Sequence, residues 1–231
     1  MLRIRYLGRT SFALESKDTS VLLNPGIWDG TPVVPDDFDV RIIVVTNHLD
    51  DALGNAAKIA DNSKAWILGN ATTIEKVRKQ GGKPWLLHEL AAETPYEIPG
   101  LKITPHPLKR GMPASQDKIE NLGLYIEMGR MRISYLGDTT IRGPFGQLEA
   151  EILITPIGGD GVFPVKDAVS LCVDARPRLV IPMRWYEPEQ LARFVRYVDQ
   201  FAPGSIPLPM DVGKVAEVTW AAGNEFRYQV S

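Results

Sequence analysis

The residues through which this chain could do chemistry mostly lack the sequence context that chemistry needs. Ser11 and Ser170 lie in no nucleophile-elbow sequence, and no glycine-rich loop leads into a helix as a phosphate cradle would. The single cysteine, Cys172, can form no intramolecular bridge, and no zinc-finger spacing is present. Asp50 and Asp51 are adjacent, so their side chains diverge and make a poor acid/base pair. His48, His88 and His106 are the three histidines, each in a different run of the chain. With 26 Lys+Arg against 28 Asp+Glu the net charge is −2, which excludes the basic excess of a nucleic-acid footprint.

The elements that must position such residues are mainly short strands. Alternating or β-rich runs occur at Leu2 to Leu7, Ser20 to Leu23, Arg41 to Thr46, Ala65 to Leu68, Trp85 to Leu87, Lys102 to Thr104, Gly123 to Met128, Met131 to Leu136, Ile152 to Thr155 and Leu179 to Pro182. Gly129-Arg130 joins two alternating runs as a tight hairpin turn. Helical patterns fall between the strands. Thr72 with Glu75 reads as a capping box opening a helix over 72–80, closed by Gly81-Gly82. Val165, Ala168, Val169 and Cys172 share one face of a helix over 165–175, which makes Cys172 a core residue rather than a nucleophile. Leu191, Phe194, Val195, Val198 and Phe201 share a face over 188–201, with Pro188 in the first turn. A further helix follows Gly54 and turns Ala56, Ile59 and Ala60 inward.

This mixture predicts one α/β domain over 1–231, of a size that needs neither disulfides nor a structural metal. No apolar run approaches the ~20 residues that span a bilayer, so no membrane partner is expected. The N-terminal run reads as a strand and not as a signal peptide, so a cytoplasmic location is expected.

Residues 2 to 10, LRIRYLGRT, and 131 to 139, MRISYLGDT, share Arg, Ile, Tyr, Leu, Gly and Thr at matching positions, which predicts two related halves. That echo belongs to a longer series: Tyr6-Leu7-Gly8 before Thr10-Ser11-Phe12, Leu22-Leu23-Asn24-Pro25, Val44-Val45-Thr46 followed by Asp51 and Leu53-Gly54, Gly137-Asp138-Thr139, Pro156-Ile157-Gly158, Asp167-Ala168 and Val180-Ile181-Pro182. In order and spacing the series resembles the metallo-β-lactamase superfamily, and within it the small single-domain metal-dependent hydrolases related to ascorbate-6-phosphate lactonase. The resemblance implies an αββα sandwich of two mixed sheets with flanking helices, each half giving one sheet.

The resemblance also implies a metal site, and there the chain departs from it. The family motif Thr-His-x-His-x-Asp-His corresponds to Thr46-Asn47-His48-Leu49-Asp50-Asp51-Ala52, so Asn47, Leu49 and Ala52 replace histidines while Asp51 is kept. The next family histidine corresponds to Arg110, the bridging carboxylate to Asp138, and the last histidine to Arg184. A zinc site needs about three protein ligands per ion at about 2.0–2.2 Å, and a guanidinium has no lone pair to give. The expectation is therefore a site without metal, in which Arg110 and Arg184 stand in for the cations and pair with Asp51 or Asp138. Trp28, Trp185 and Tyr186 are candidate pocket-rim residues.

The function expected from this is a hydrolase-like fold that is catalytically inactive and serves as a binding or structural module. No cofactor is expected, and a small anionic ligand or a homo-oligomeric partner is. The alternative is a metal-dependent hydrolase of lactones or phosphoesters holding one divalent metal such as zinc on His48, Asp51, His106 and Asp138.

Overall fold

The computed structural model describes residues 1–111 and 118–231, and the chain divides into two compact units. The first unit takes Met1–Ala91 and Asp211–Ser231, with Ile98–Gly100. Its N-terminal part runs β1 (Leu2–Gly8), β2 (Ser11–Glu15), β3 (Ser20–Leu23), the small hairpin β4 (Ile27–Trp28) and β5 (Thr31–Pro32), β6 (Ile42–Val44), α1 (Asp50–Leu53), α2 (Ala56–Ser63), β7 (Trp66–Gly69), α3 (Ala71–Lys79) and β8 (Leu87–Glu89). The second unit follows with β9 (Tyr96–Ile98), β10 (Leu101–Arg110), β11 (Ile119–Met128), β12 (Met131–Tyr135), β13 (Ile152–Pro156), α4 (Val165–Ala175), β14 (Leu179–Met183), α5 (Pro188–Phe201) and β15 (Ile206–Pro207). The chain then returns to the first unit as β16 (Val215–Ala221) and β17 (Glu225–Val230).

Each unit is built on one mixed sheet, the α/β architecture that the sequence pattern implies. The first sheet has the order β17-β16-β1-β2-β3-β6-β7-β8, and the second the order β15-β14-β13-β12-β11-β10-β9. Alternation builds them: in β1, Leu2, Ile4 and Tyr6 are buried while Arg3 and Arg5 lie on the other face against Glu15. Strands β6, β13 and β14 are buried throughout, as strands covered on both faces must be. In the first unit, Leu22, Ile43, Ile59, Ile67 and Val77 form one core with Ala52. In the second, α4 and α5 lay Ala168, Cys172, Phe194 and Val198 onto Leu153, Val180 and Phe145. Among the described residues no helix is long and apolar enough to cross a membrane.

The two halves are related, but not by the pairing that the echo suggests. From β1 to β3 neighbours are antiparallel, and from β3 through β6, β7 and β8 they are parallel. From β10 to β12 neighbours are antiparallel, and from β12 through β13, β14 and β15 they are parallel. Strand β12 thus holds the topological place of β3, not of β1. The bonds just past the strand ends agree, since Asn24 N donates to Val44 O (3.0 Å) and Leu136 N to Ile154 O (3.1 Å). The likeness of LRIRYLGRT to MRISYLGDT reflects two amphipathic strands that each end in a sharp turn.

Other corrections are local. Helix α3 is capped by Asn70, whose side chain accepts from Thr73 N (2.9 Å), so Thr72 is already inside the helix. Trp85 lies in a 3₁₀ turn before β8 and stays exposed. Phe201 is 54% exposed because α5 ends on it, beyond the buried Phe194 and Val198.

Candidate functional site

Strands β10, β12, β13 and β14 of the second unit run in one direction and bring their C-terminal ends to one end of its sheet. Strand β10 is antiparallel to β11, which is antiparallel to β12, while β13 and β14 run parallel to β12. Arg110 is the last residue of β10, Arg184 follows β14, and Asp138 follows β12 through Leu136 and Gly137. Both guanidiniums converge on one carboxylate oxygen: Arg110 Nη1 donates to Asp138 Oδ2 at 2.9 Å and Arg184 Nη1 to the same atom at 3.0 Å. The Asp138 side chain is 0% exposed, that of Arg184 5%, and that of Arg110 14%.

The backbone is shaped to hold this cluster. Gly137 takes φ +58°, a left-handed turn that redirects the chain after β12. Lys109 O accepts from Thr140 N (2.8 Å) and Thr140 Oγ1 (3.2 Å), which fixes the loop after Asp138 against the end of β10. Arg184 itself is left-handed, with φ +53°. Its carbonyl lies where a Cβ on Gly158 would have to sit, so residue 158 has no room for a side chain. Gln190 Nε2 donates to Gly158 O (3.0 Å) and Gln190 Oε1 accepts from Tyr186 N (2.8 Å), joining the loops after β13 and β14 at the start of α5.

The remaining sequence-derived residues each lie within their own unit. Asn47 and Asp51 belong to the first unit. Asn47 is buried and its Oδ1 accepts from Leu49 N (3.1 Å), a side-chain turn that shapes the start of α1. Just before it, Asn24 Oδ1 accepts from Thr46 N (2.9 Å) and Asn24 Nδ2 donates to Thr46 Oγ1 (3.0 Å), a neutral clamp of the ends of β3 and β6. Ala52 is part of the apolar core, and Asp51 is half-buried in α1. Trp28, in the first unit, lies under the Arg9 guanidinium at 3.3 Å. Trp185 packs on the core of the second unit and Tyr186 is exposed, so of the three candidate rim residues Trp185 serves packing.

Among the described residues no group of three or more His, Cys, Asp or Glu side chains could hold a metal ion. His48 and Asp51 belong to the first unit, and His106 and Asp138 to the second. His106 is buried on β10 beside Gly123 of β11, edge-on to the Phe145 ring at 5.4 Å, and neither ring nitrogen has a hydrogen-bond partner. Burial holds its pKa below the ordinary 6.5, against the pull of Glu93. Because the unfolded chain binds this proton more readily, stability is full above that ordinary value and falls as pH drops below it toward the folded-state value. His106→Leu should make the decline in urea midpoint from about pH 7 to about pH 5 shallower. An unchanged slope would show that His106 protonates without cost.

Arg110, Asp138 and Arg184 were reachable from motif spacing, whereas the supporting Gly158 contact and the Thr140–Lys109 bond carry no sequence signal beyond a glycine in a loop.

The beta-lactamase superfamily domain matches this chain over residues 3–184. A UPF0173 metal-dependent hydrolase of Thermofilum pendens is 28% identical over 204 residues, covering 80% of this chain and 84% of its own. One of Carboxydothermus hydrogenoformans is 25% identical over 195 residues, with coverage of 80% and 84%. Among solved structures, the metallo hydrolase Igni18 of Ignicoccus hospitalis matches with a TM-score of 0.77 at 19% identity, covering 93% of this chain and 97% of that one, a likeness of fold.

Proposed function

We propose, for a chain that belongs to the beta-lactamase superfamily domain family, a binding role built on two arginines in place of a hydrolytic role built on metal. The observation that carries this reading is the convergence of Arg110 and Arg184 on Oδ2 of Asp138. By motif, Asp138 corresponds to the carboxylate that bridges metals in metal-bearing members. Here that carboxylate is engaged by two permanent cations, which repel a further cation and offer it no lone pair.

The donor set supports the same reading. Leu49 and Ala52 carry no ligand atom, and the Asn47 amide oxygen is used by Leu49 N. These residues do not fit a zinc site with an open coordination position. Without metal, nothing in the site lowers the pKa of a water toward neutrality, so the arrangement supplies no hydroxide to attack a substrate. The ligand class that suits planar guanidinium forks is a small anion bearing phosphate or carboxylate oxygens, and Arg110 is the arginine with access to solvent.

The test is the protein purified without chelator. Elemental analysis should give far less than one equivalent of zinc, iron or manganese, and generic lactones and phosphodiesters should be turned over no faster than buffer. Millimolar phosphate or citrate should raise the melting temperature saturably, since a ligand at ~100 times its Kd adds about 2.7 kcal/mol. A second reading, a metal-dependent hydrolase with one unusual metal, is favoured by the names of the Thermofilum and Carboxydothermus relatives. It requires about one equivalent of metal and chelator-sensitive turnover, and that pair of results would replace the first reading.

A further inference from the structure

We propose that β17 pairs antiparallel with β17 of a second copy of this chain, joining two first-unit sheets edge to edge about Tyr228. Among the described sheet edges, β8 and β9 have three residues each and β15 has two, one of them Pro207. Strand β17 has six residues, Glu225–Val230, and contains no proline. Edges of that length are normally blunted, because their outward backbone groups are a template for another strand.

The hydrogen-bond phase of this edge is fixed. Val215 and Ser231 exchange both backbone bonds, at 3.2 and 3.0 Å. Alternation then turns the N–H and C=O groups of Gln229, Arg227 and Glu225 toward β16, and those of Val230, Tyr228 and Phe226 outward. The side chains of the outward set continue the apolar face of the sheet. Val218 and Ala216, both buried, stand opposite Tyr228 and Val230, which are 38% and 44% exposed. The core-facing stripe therefore reaches the edge and is left open there.

A second copy is the occupant that matches this edge in both backbone and side chains. With Tyr228 opposite Tyr228 of the second copy, Phe226 faces its Val230, and the outward N–H and C=O groups of all three residues pair. Arg227 then stands opposite Gln229, two polar groups of compatible charge. Of the two registers slipped by two residues, one sets Arg227 against Arg227, a directly opposed like charge. Self-pairing about a two-fold axis is thus specified to one register over that slip.

Light scattering on the full chain at up to about 100 µM should give twice the 25.6 kDa protomer mass. Tyr228→Pro should return it to protomer mass while the chain stays folded, because the Tyr228 N–H points away from β16 and gives up no bond to it. Oxidation should cross-link Tyr228→Cys, whose Cα atoms would lie about 5.5 Å apart. Gln229→Cys should not cross-link, since its own copies stand diagonally, beyond disulfide reach. The buried Cys172 does not compete. Protomer mass throughout the range, a dimer that survives Tyr228→Pro, or cross-linking of Gln229→Cys as fast as Tyr228→Cys would each overturn the proposal.

Discussion

Arg184→Ala is expected to destabilise the protein by about 3 kcal/mol, read as a fall in urea midpoint at constant slope. Removing one member of a buried ion pair costs about 3–5 kcal/mol, mostly because the other charge is left without compensation. Here the lower end applies, since Arg110 still donates to Asp138 at 2.9 Å. Asp138→Ala removes the group that both guanidiniums share, leaves two like charges close together, and should cost about 5 kcal/mol. Arg110→Ala should be the mildest, because its side chain reaches solvent and Arg184 remains on the carboxylate. The triple variant Arg110→Met, Asp138→Leu, Arg184→Met removes all three charges of the cluster together and should recover most of the loss. A parent-like midpoint for Arg184→Ala would mean that the pair stabilises nothing.

Ala52→His, which puts back a family ligand by motif, is expected to cost about 3–4 kcal/mol and to bring no metal with it. Ala52 is fully buried in the core of the first unit with Leu53, Ala56 and Ile59. An imidazole there overfills a packed region, at about 1–3 kcal/mol, and buries ring nitrogens without partners, at about 1–3 kcal/mol more. Restoring one ligand also leaves Asn47, Leu49, Arg110 and Arg184 unchanged. A variant as stable as the parent that binds an equivalent of zinc would show that the site is one substitution from function. That result would sink the arginine reading.

The parts of the fold that were legible in the sequence are those where one local signal decides. Alternation marked β1 and β12, and a continuous apolar stripe marked α4 with Cys172 inside it. Asn70 was missed as a cap because Thr72 and Glu75 offered a better-known pattern two residues later. The final strands β16 and β17 were missed because β17 is exposed along most of its length and carries little hydrophobic contrast. The echo misled for a deeper reason. Strand equivalence depends on which neighbour a strand bonds and in which direction, and that is a non-local property no nine-residue likeness contains. The candidate site was legible in its charged residues, since motif order located Arg110, Asp138 and Arg184. Its geometry was not, because convergence on one oxygen depends on β10, β12 and β14 ending at the same end of the sheet.

The burial of Cys172 makes the second unit its own clock. As the one thiol of the chain, it is fully buried in α4, and burial pushes its pKa up to about 12. A thiol reagent therefore waits for two things at once, entry to the core and ionisation, and both come only when α4 opens. With reclosing faster than alkylation, the labelling rate divided by that of a free thiol gives the opening equilibrium of that helix directly. The wild-type chain needs no engineered probe for this measurement. Arg184→Ala and Asp138→Ala can then be ranked by how often the second unit breathes under native conditions, without denaturant.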